Sequence, residues 1–339
     1  MFPKWFTEWN RKNPTDPFQP IFLMGGVGGA VFLAAMLVVW GWPYMTESSQ
    51  TGPRGTGMSV TKFPAGPDPT ADGYAASIEA AAADELPIVD SPVSEGLTRA
   101  MRQWTGIPDL YSGKEDSYQD VVASLMISMT QVLNDDWGGH TAINDVGVTC
   151  YTCHRGEVVP SNIWYRVDPT VEAMAGWGAV QNRVTAVSGS TSLPSDMLQK
   201  LLVEEGNIKV HDLEPRVENA GTATWQDTER TYSLMNYFSN SLNVNCNFCH
   251  NSRAFYDPGQ VTPQWASALM GIDMVRDLNV TYLEPLEGVL PAERLGPVHA
   301  DAPKAACATC HKGYSKPMQG LPMLADWPEL SAPGATLDE

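Results

Sequence analysis

Apolar and polar positions alternate in three different ways along the chain. Between Asp16 and Glu47 no charged residue occurs at all. The core of that run, from Pro20, Ile21, Phe22 and Leu23 to Leu37, Val38, Val39 and Trp40, is long enough to span a bilayer. Trp40, Trp42 and Tyr44 fall where an aromatic belt marks the outer interface. Lys4, Arg11 and Lys12 precede the run, which predicts a cytoplasmic N-terminus. The run exceeds a typical signal-peptide core and ends without a small-x-small cleavage site. It therefore predicts a retained anchor over 18–45, behind a cytoplasmic segment over 1–17. Trp5, Phe6 and Trp9, with Lys4 and Lys12, suit the headgroup region. Gly25, Gly26, Gly28 and Gly29 form a small-residue face within the span.

From 46 to 94 the pattern dissolves into Gly, Pro, Ala and Thr, apart from an alanine-rich piece over 74–83. That composition predicts an extended tether. From Glu95 onward, helical spacing takes over. Val122, Leu125, Met129, Val132 and Leu133 share one face of a predicted helix, and Met235, Phe238 and Leu242 share another. A third helical pattern runs over 265–276. The expected fold is mainly α, with one folded domain over 95–339.

Charge and cysteine usage sharpen this outline. The net charge of −18 over 339 residues gives no electrostatic route to a phosphate backbone, which excludes nucleic acid as a partner. It favours a basic protein partner instead. All six cysteines lie in Cys150-Tyr-Thr-Cys153-His154, Cys246-Asn-Phe-Cys249-His250 and Cys307-Ala-Thr-Cys310-His311. Two thiols three residues apart reach the two vinyl groups of one porphyrin, and the next residue, histidine, meets the iron. Three such motifs with no cysteine left over predict three covalently attached haem c groups and a multihaem cytochrome c. Attachment of this kind occurs outside the bacterial cytoplasm, which places the domain in the periplasm.

Each motif supplies one axial ligand, and methionine or histidine is the usual second. Each of the first two motifs follows a helix bearing a methionine. Met129, with Met126 as a rival one turn earlier, and Met235 are candidates for the first two irons. For the third, Met270, Met274, His140, His211 and His299 all remain open on pattern alone.

Several stretches resemble the cytochrome subunit of purple-bacterial photosynthetic reaction centres. They are Met129 to Trp137 with His140, Gly147 to Gly156, Leu242 to Asn251, Gly271 to Asn279, and Pro291 to Gly296 ahead of the third motif. The resemblance covers the chain from about Glu95 onward and is weaker between Val158 and Thr228. It implies helix–haem units that relay electrons from a soluble periplasmic donor to the photo-oxidised bacteriochlorophyll pair. It implies Met129 opposite His154, Met235 opposite His250, and His140 opposite His311, with Met274 a packing residue. The implied partners are the membrane, the reaction-centre L and M subunits and a soluble donor, either cytochrome c2-like or a high-potential iron–sulfur protein. A light-harvesting ring is a further candidate. The implied location is the photosynthetic inner membrane, crossed once. The family typically carries four haems, and here the first motif is missing. Leu97 to Trp104 looks like its helix, but 105–118 holds no cysteine or histidine, so Met101 is expected to be a relic or a core residue.

With two protein ligands per iron no site is left open for a substrate, so the expectation is an electron-transfer subunit rather than an enzyme. A multihaem reductase and an anchored quinol dehydrogenase are the alternatives. The first would need a five-coordinate haem among convergent polar groups. The second would need more histidines and motifs closer behind the span.

Overall fold

A computed structural model describes residues 2–12, 19–40, 69–114, 117–143, 146–167, 193–206, 208, 210, 224–255 and 257–333. Trp42, Tyr44, His211 and the stretch 46–68 lie outside them. The chain forms two compact units, Met1–Ser59 and Val60–Glu339.

In the first unit, helix α1 (Lys4–Lys12) ends on Arg11 and Lys12, where cations complement the negative end of the helix dipole. The rings of Phe2, Trp5, Phe6 and Trp9 lie in contact along it, Phe2 and Phe6 5.3 Å apart. Helix α2 (Gln19–Trp40) has 22 residues and no charged side chain. Its side chains are described only over 25–36, and these are exposed apart from half-buried Met36. Among the described residues no helix is long and apolar enough to cross a membrane.

The second unit is helical; the only β-pairing among its described residues is an isolated antiparallel bridge, Trp164 to Lys304. Its first helices are α3 (Pro69–Ala82), α4 (Glu95–Thr105), α5 (Tyr118–Asp135), α6 (Gly138–Thr141) and α7 (Cys150–His154). Then come α8 (Met197–Leu202), α9 (Trp225–Leu242), α10 (Pro263–Asp277) and α11 (Cys307–His311). A π-helical turn, Leu278–Leu283, continues α10.

Helix α3 departs from the expectation of a tether reaching to residue 94. Tyr74 and Ala81 are buried in the same core as Leu97, Ala100, Met101 and Trp104 of α4. Tyr74 and Ala81, with half-buried Ile78, seat this helix, a signal too sparse to read from composition. Arg102 secures the connection. Its buried guanidinium donates to Asp84 and to the carbonyls of Leu86, Pro87 and Leu110, so the charge is paired and its donors are used.

Two cores flank the cysteine motifs. One gathers α3, α4, the start of α5, Cys150 and Tyr151 with Met318, Met323 and Leu330 of the C-terminal segment. The other gathers Leu133, α8, α9 and α10 with Ala305 and Ala306. Helix α5 reaches both, through Ala123 and Ile127 at one end and Leu133 at the other. Glu329 ties the C-terminal segment to the start of α4, where the Ser94 amide donates to it at 2.7 Å.

Candidate metal centres

The first and third motifs are built alike. Each is a single helical turn entered from extended backbone, with a threonine in third position. The Thr152 hydroxyl accepts from the Thr149 amide at 3.1 Å, and the Thr309 hydroxyl from the Ala306 amide at 3.0 Å. Each turn ends on a left-handed residue, Arg155 at φ 52° and Lys312 at φ 50°.

Each is also introduced by a buried asparagine. The Asn134 amide clasps Val148, accepting from its N–H at 2.7 Å and donating to its carbonyl at 2.8 Å, and it donates further to the Leu330 carbonyl. Asn279 clasps Ala305 in the same way, at 2.9 and 3.0 Å, and reaches the Leu202 carbonyl. Val148 and Ala305 each stand two residues before the first cysteine of their motif. Both amides thus fill three hydrogen bonds in a buried setting, where an unpaired polar group is costly. The two motifs meet at their second cysteines, with Cys153 and Cys310 sulfurs 2.9 Å apart.

The second motif is different. Cys246–Phe248 is a 3₁₀ turn in which no residue is buried. Phe248 stands where the others have threonine. Its carbonyl is taken by the Thr262 hydroxyl at 2.6 Å, at the head of α10.

One arrangement is common to all the histidines of the motifs. Nδ1 faces a backbone carbonyl at 2.9 Å in each: Glu157 for His154, Phe255 for His250 and Tyr314 for His311. His140 Nδ1 faces the Ser267 carbonyl at 3.0 Å. A carbonyl only accepts, so Nδ1 holds the proton and the Nε2 lone pair is left for a metal. Burial pushes His140 and His154 below the ordinary histidine pKa, and burial with the neighbouring His140 takes His311 down to about 4. These imidazoles are neutral, as a ligand must be.

His140 and His311 are brought together although 171 positions of numbering separate them, with ring centroids 6.4 Å apart. Two imidazoles sharing one metal, with bonds of about 2.0–2.1 Å and about 1.1 Å from nitrogen to centroid, would stand about 6.3 Å apart. The pair therefore has a spacing at which both rings could ligate one metal. Gly271 allows it: a Cβ there would come within 2.9 Å of His140 Cε1 and 3.3 Å of Nε2. Met274 is buried in the core of α8–α10, Met270 is exposed, and His299 is half-buried.

On α5 the protein itself buries Ala123, Ile127, Thr130 and Leu133, while Val122, Leu125, Met126, Met129 and Val132 stay half-buried. On α9 it buries Ser233, Leu234, Tyr237 and Ser241, while Met235, Phe238 and Leu242 stay half-buried. In both helices the methionine-bearing stripe is apolar and only partly covered by protein, with Met129 and Phe238 packed against the second core; the uncovered part could take an apolar planar group. Met101 is the contrast, 2% exposed and enclosed by protein. The thiols, the neutral imidazoles and these faces fit haem c. Sequence reasoning missed Asn134, Asn279 and Gly271; their signal was their place inside the stretches that carried the resemblance.

Residues 41–331 match the family described as the photosynthetic reaction centre cytochrome C subunit. The chain belongs to that family. A protein of Roseobacter denitrificans named photosynthetic reaction center cytochrome c subunit is 52% identical over the full length of both chains. Proteins of the same name from Rubrivivax gelatinosus and Thermochromatium tepidum are 42% and 39% identical. These alignments cover 65% and 64% of this chain and 60% and 52% of theirs. As a reaction-centre cytochrome subunit the chain is a haem-binding electron-transfer protein of photosynthesis, not an enzyme. It is associated with the reaction centre, at a membrane.

Proposed function

We propose that this reaction-centre cytochrome subunit carries three haem c groups and relays electrons from a soluble periplasmic donor to the oxidised bacteriochlorophyll pair. The cysteine pairs 150/153, 246/249 and 307/310 hold the groups. His154 with Met129, His250 with Met235, and His311 with His140 would ligate the three irons. When bound, haem c supplies one reversible electron per iron. The protein's part is to fix the ligands, set their protonation and exclude water. The observation that carries the ligand assignment is the 6.4 Å spacing of His140 and His311 with both Nδ1 atoms on carbonyls.

The uncharged apolar run of the sequence between Asp16 and Glu47, behind Lys4, Arg11 and Lys12, supports a single retained anchor with the haem domain on the periplasmic side. The L and M subunits are the partners, and by the family's arrangement the His250 haem lies nearest the chlorophyll pair. The open second motif suits a place beneath a partner subunit.

The test is a flash experiment on native membranes, combined with purification. Copurification with reaction-centre polypeptides and flash oxidation of the His250 haem before the others is expected. A preparation in which no haem is oxidised after the flash would overturn the relay, and a fourth covalent haem by mass spectrometry would overturn the count.

A further inference from the structure

Helix α4 carries a methionine as α5 and α9 do, but Met101 is buried and no cysteine motif follows. Aromatic rings gather instead around Trp104 of this helix. Tyr74 of α3 stacks on Trp104 at 5.9 Å, and Trp327 meets Trp104 edge-on at 5.2 Å. The indole N–H of Trp104 donates to Ser77 and that of Trp327 to the Tyr74 hydroxyl, both at 3.0 Å.

The cluster continues into the first motif. Tyr151, between Cys150 and Cys153, is buried and meets the Tyr74 ring edge-on at 5.4 Å. Gly73 faces the same ring: a Cβ there would lie 2.5 Å from the Tyr151 hydroxyl. The far end of the motif is gripped too. The Gly156 amide donates to the Trp104 carbonyl at 2.7 Å, and a Cβ on Gly106 would strike the Gly156 carbonyl at 2.4 Å. The other motifs have Asn247 and Ala308 at the position of Tyr151, so neither offers a ring to such a cluster.

We infer that α3 and α4 form a haem-free clamp in which Gly73, Tyr74 and Trp104 hold Tyr151 and thereby position the haem of the first motif. The clamp acts on the His154 site alone, and Tyr151 is a positioning residue, since it offers the iron no ligand. This rests on the assignment of His154 and Met129 to that haem. Local strain in the motif passes to the ligand–iron geometry, and so to the potential and spectrum of that one group.

The test uses the full-length membrane-bound protein, with redox titration and low-temperature spectra resolving the three haems. In Gly73→Ala, alanine is the better helix former, so any disturbance comes from its contact with Tyr151. That variant and Tyr151→Leu should each shift the midpoint and the signature of the His154 haem and leave the other two unmoved. Tyr151→Phe, which keeps the ring, should restore the native values in the Tyr151 series. Should Tyr151→Leu lose the first haem altogether, Gly73→Ala decides. Equal shifts in all three haems, or none in Gly73→Ala, would overturn the clamp. A native protein without a Met/His haem on His154 would instead sink the ligand assignment beneath it.

Discussion

The first and third motifs and the second hold the same five-residue pattern in two ways. The former are locked from a distance. Asn134 and Asn279 clasp the chain two residues before their motifs and tie it to the Leu330 and Leu202 carbonyls, 196 and 77 positions away. The second is held by near neighbours, with Phe255 beneath His250 at 5.0 Å and Thr262 on the Phe248 carbonyl. A site fixed by contacts far apart in sequence is as rigid as the domain, whereas one fixed locally can open locally. The haem-binding pattern therefore specifies chemistry, and the residues outside it specify how firmly that chemistry is held.

The comparison breaks most visibly if His140 is not the ligand that joins the two halves of the domain. His140→Ala should change the spectrum and potential of the His311 haem and leave the other two as they were. Gly271→Ala should do the same by driving a methyl group against the His140 ring. An unchanged His311 spectrum would hand the iron to Met270, Met274 or His299.

Removing a clasp should cost stability where the long-range motifs are concerned. Asn279→Ala and Asn134→Ala each leave a buried N–H and buried carbonyls unpaired, a loss of at least about 2 kcal/mol in denaturant unfolding. Thr262→Val, which acts only on the second motif, should raise hydrogen exchange around 246–250 with a smaller change in global stability. Equal effects from all three would mean the motifs are not held differently.

Much of the arrangement could be read from residue order, because covalent attachment dictates its own spacing and the helical period marks the stripes of α5 and α9. The methionine-bearing stripes are legible at helical spacing; that the protein leaves them only half-buried is not. The faces buried by protein are the neighbouring ones, which mix Thr130 and Ser233 with apolar residues and so look polar in one dimension. Helix α3 was hidden because Tyr74 and Ala81 carry it into the core amid a run of small residues. The clasps were hidden because a buried asparagine cannot be told from an exposed one without its partners. Phe248 in place of threonine was visible, but its meaning depends on the hydrogen bond that Thr152 and Thr309 make.

Acid should separate the core of α3 and α4 from the rest. Burial alone would raise the Asp84 carboxyl, but the Leu86 amide, Arg102 and Arg99 outweigh it and hold the pKa below the ordinary value. A carboxylate lowered in the folded state contributes stability present above its unfolded pKa of about 3.9, which is lost as pH falls through the folded value. Trp104 fluorescence should therefore report loosening of α3 and α4 below about pH 4, and Asp84→Asn should abolish that dependence.

The smallest effect concerns arrival rather than holding. With a net charge of −18, attraction to a basic donor is screened over about 8–10 Å at physiological salt. Re-reduction after a flash should slow as ionic strength rises and should begin at the His154 haem. A rate indifferent to salt would point to an apolar docking patch.

The clasp on the first motif also bears on how the molecule is made. The Asn134 amide bonds to Val148 and to the Leu330 carbonyl, 196 positions further along, and the chain is synthesised from its N-terminus. The first cysteine pair therefore emerges well before the last partner of its clasp. That site can be loaded while its surroundings are still open, and its final hydrogen bond waits for the C-terminal segment.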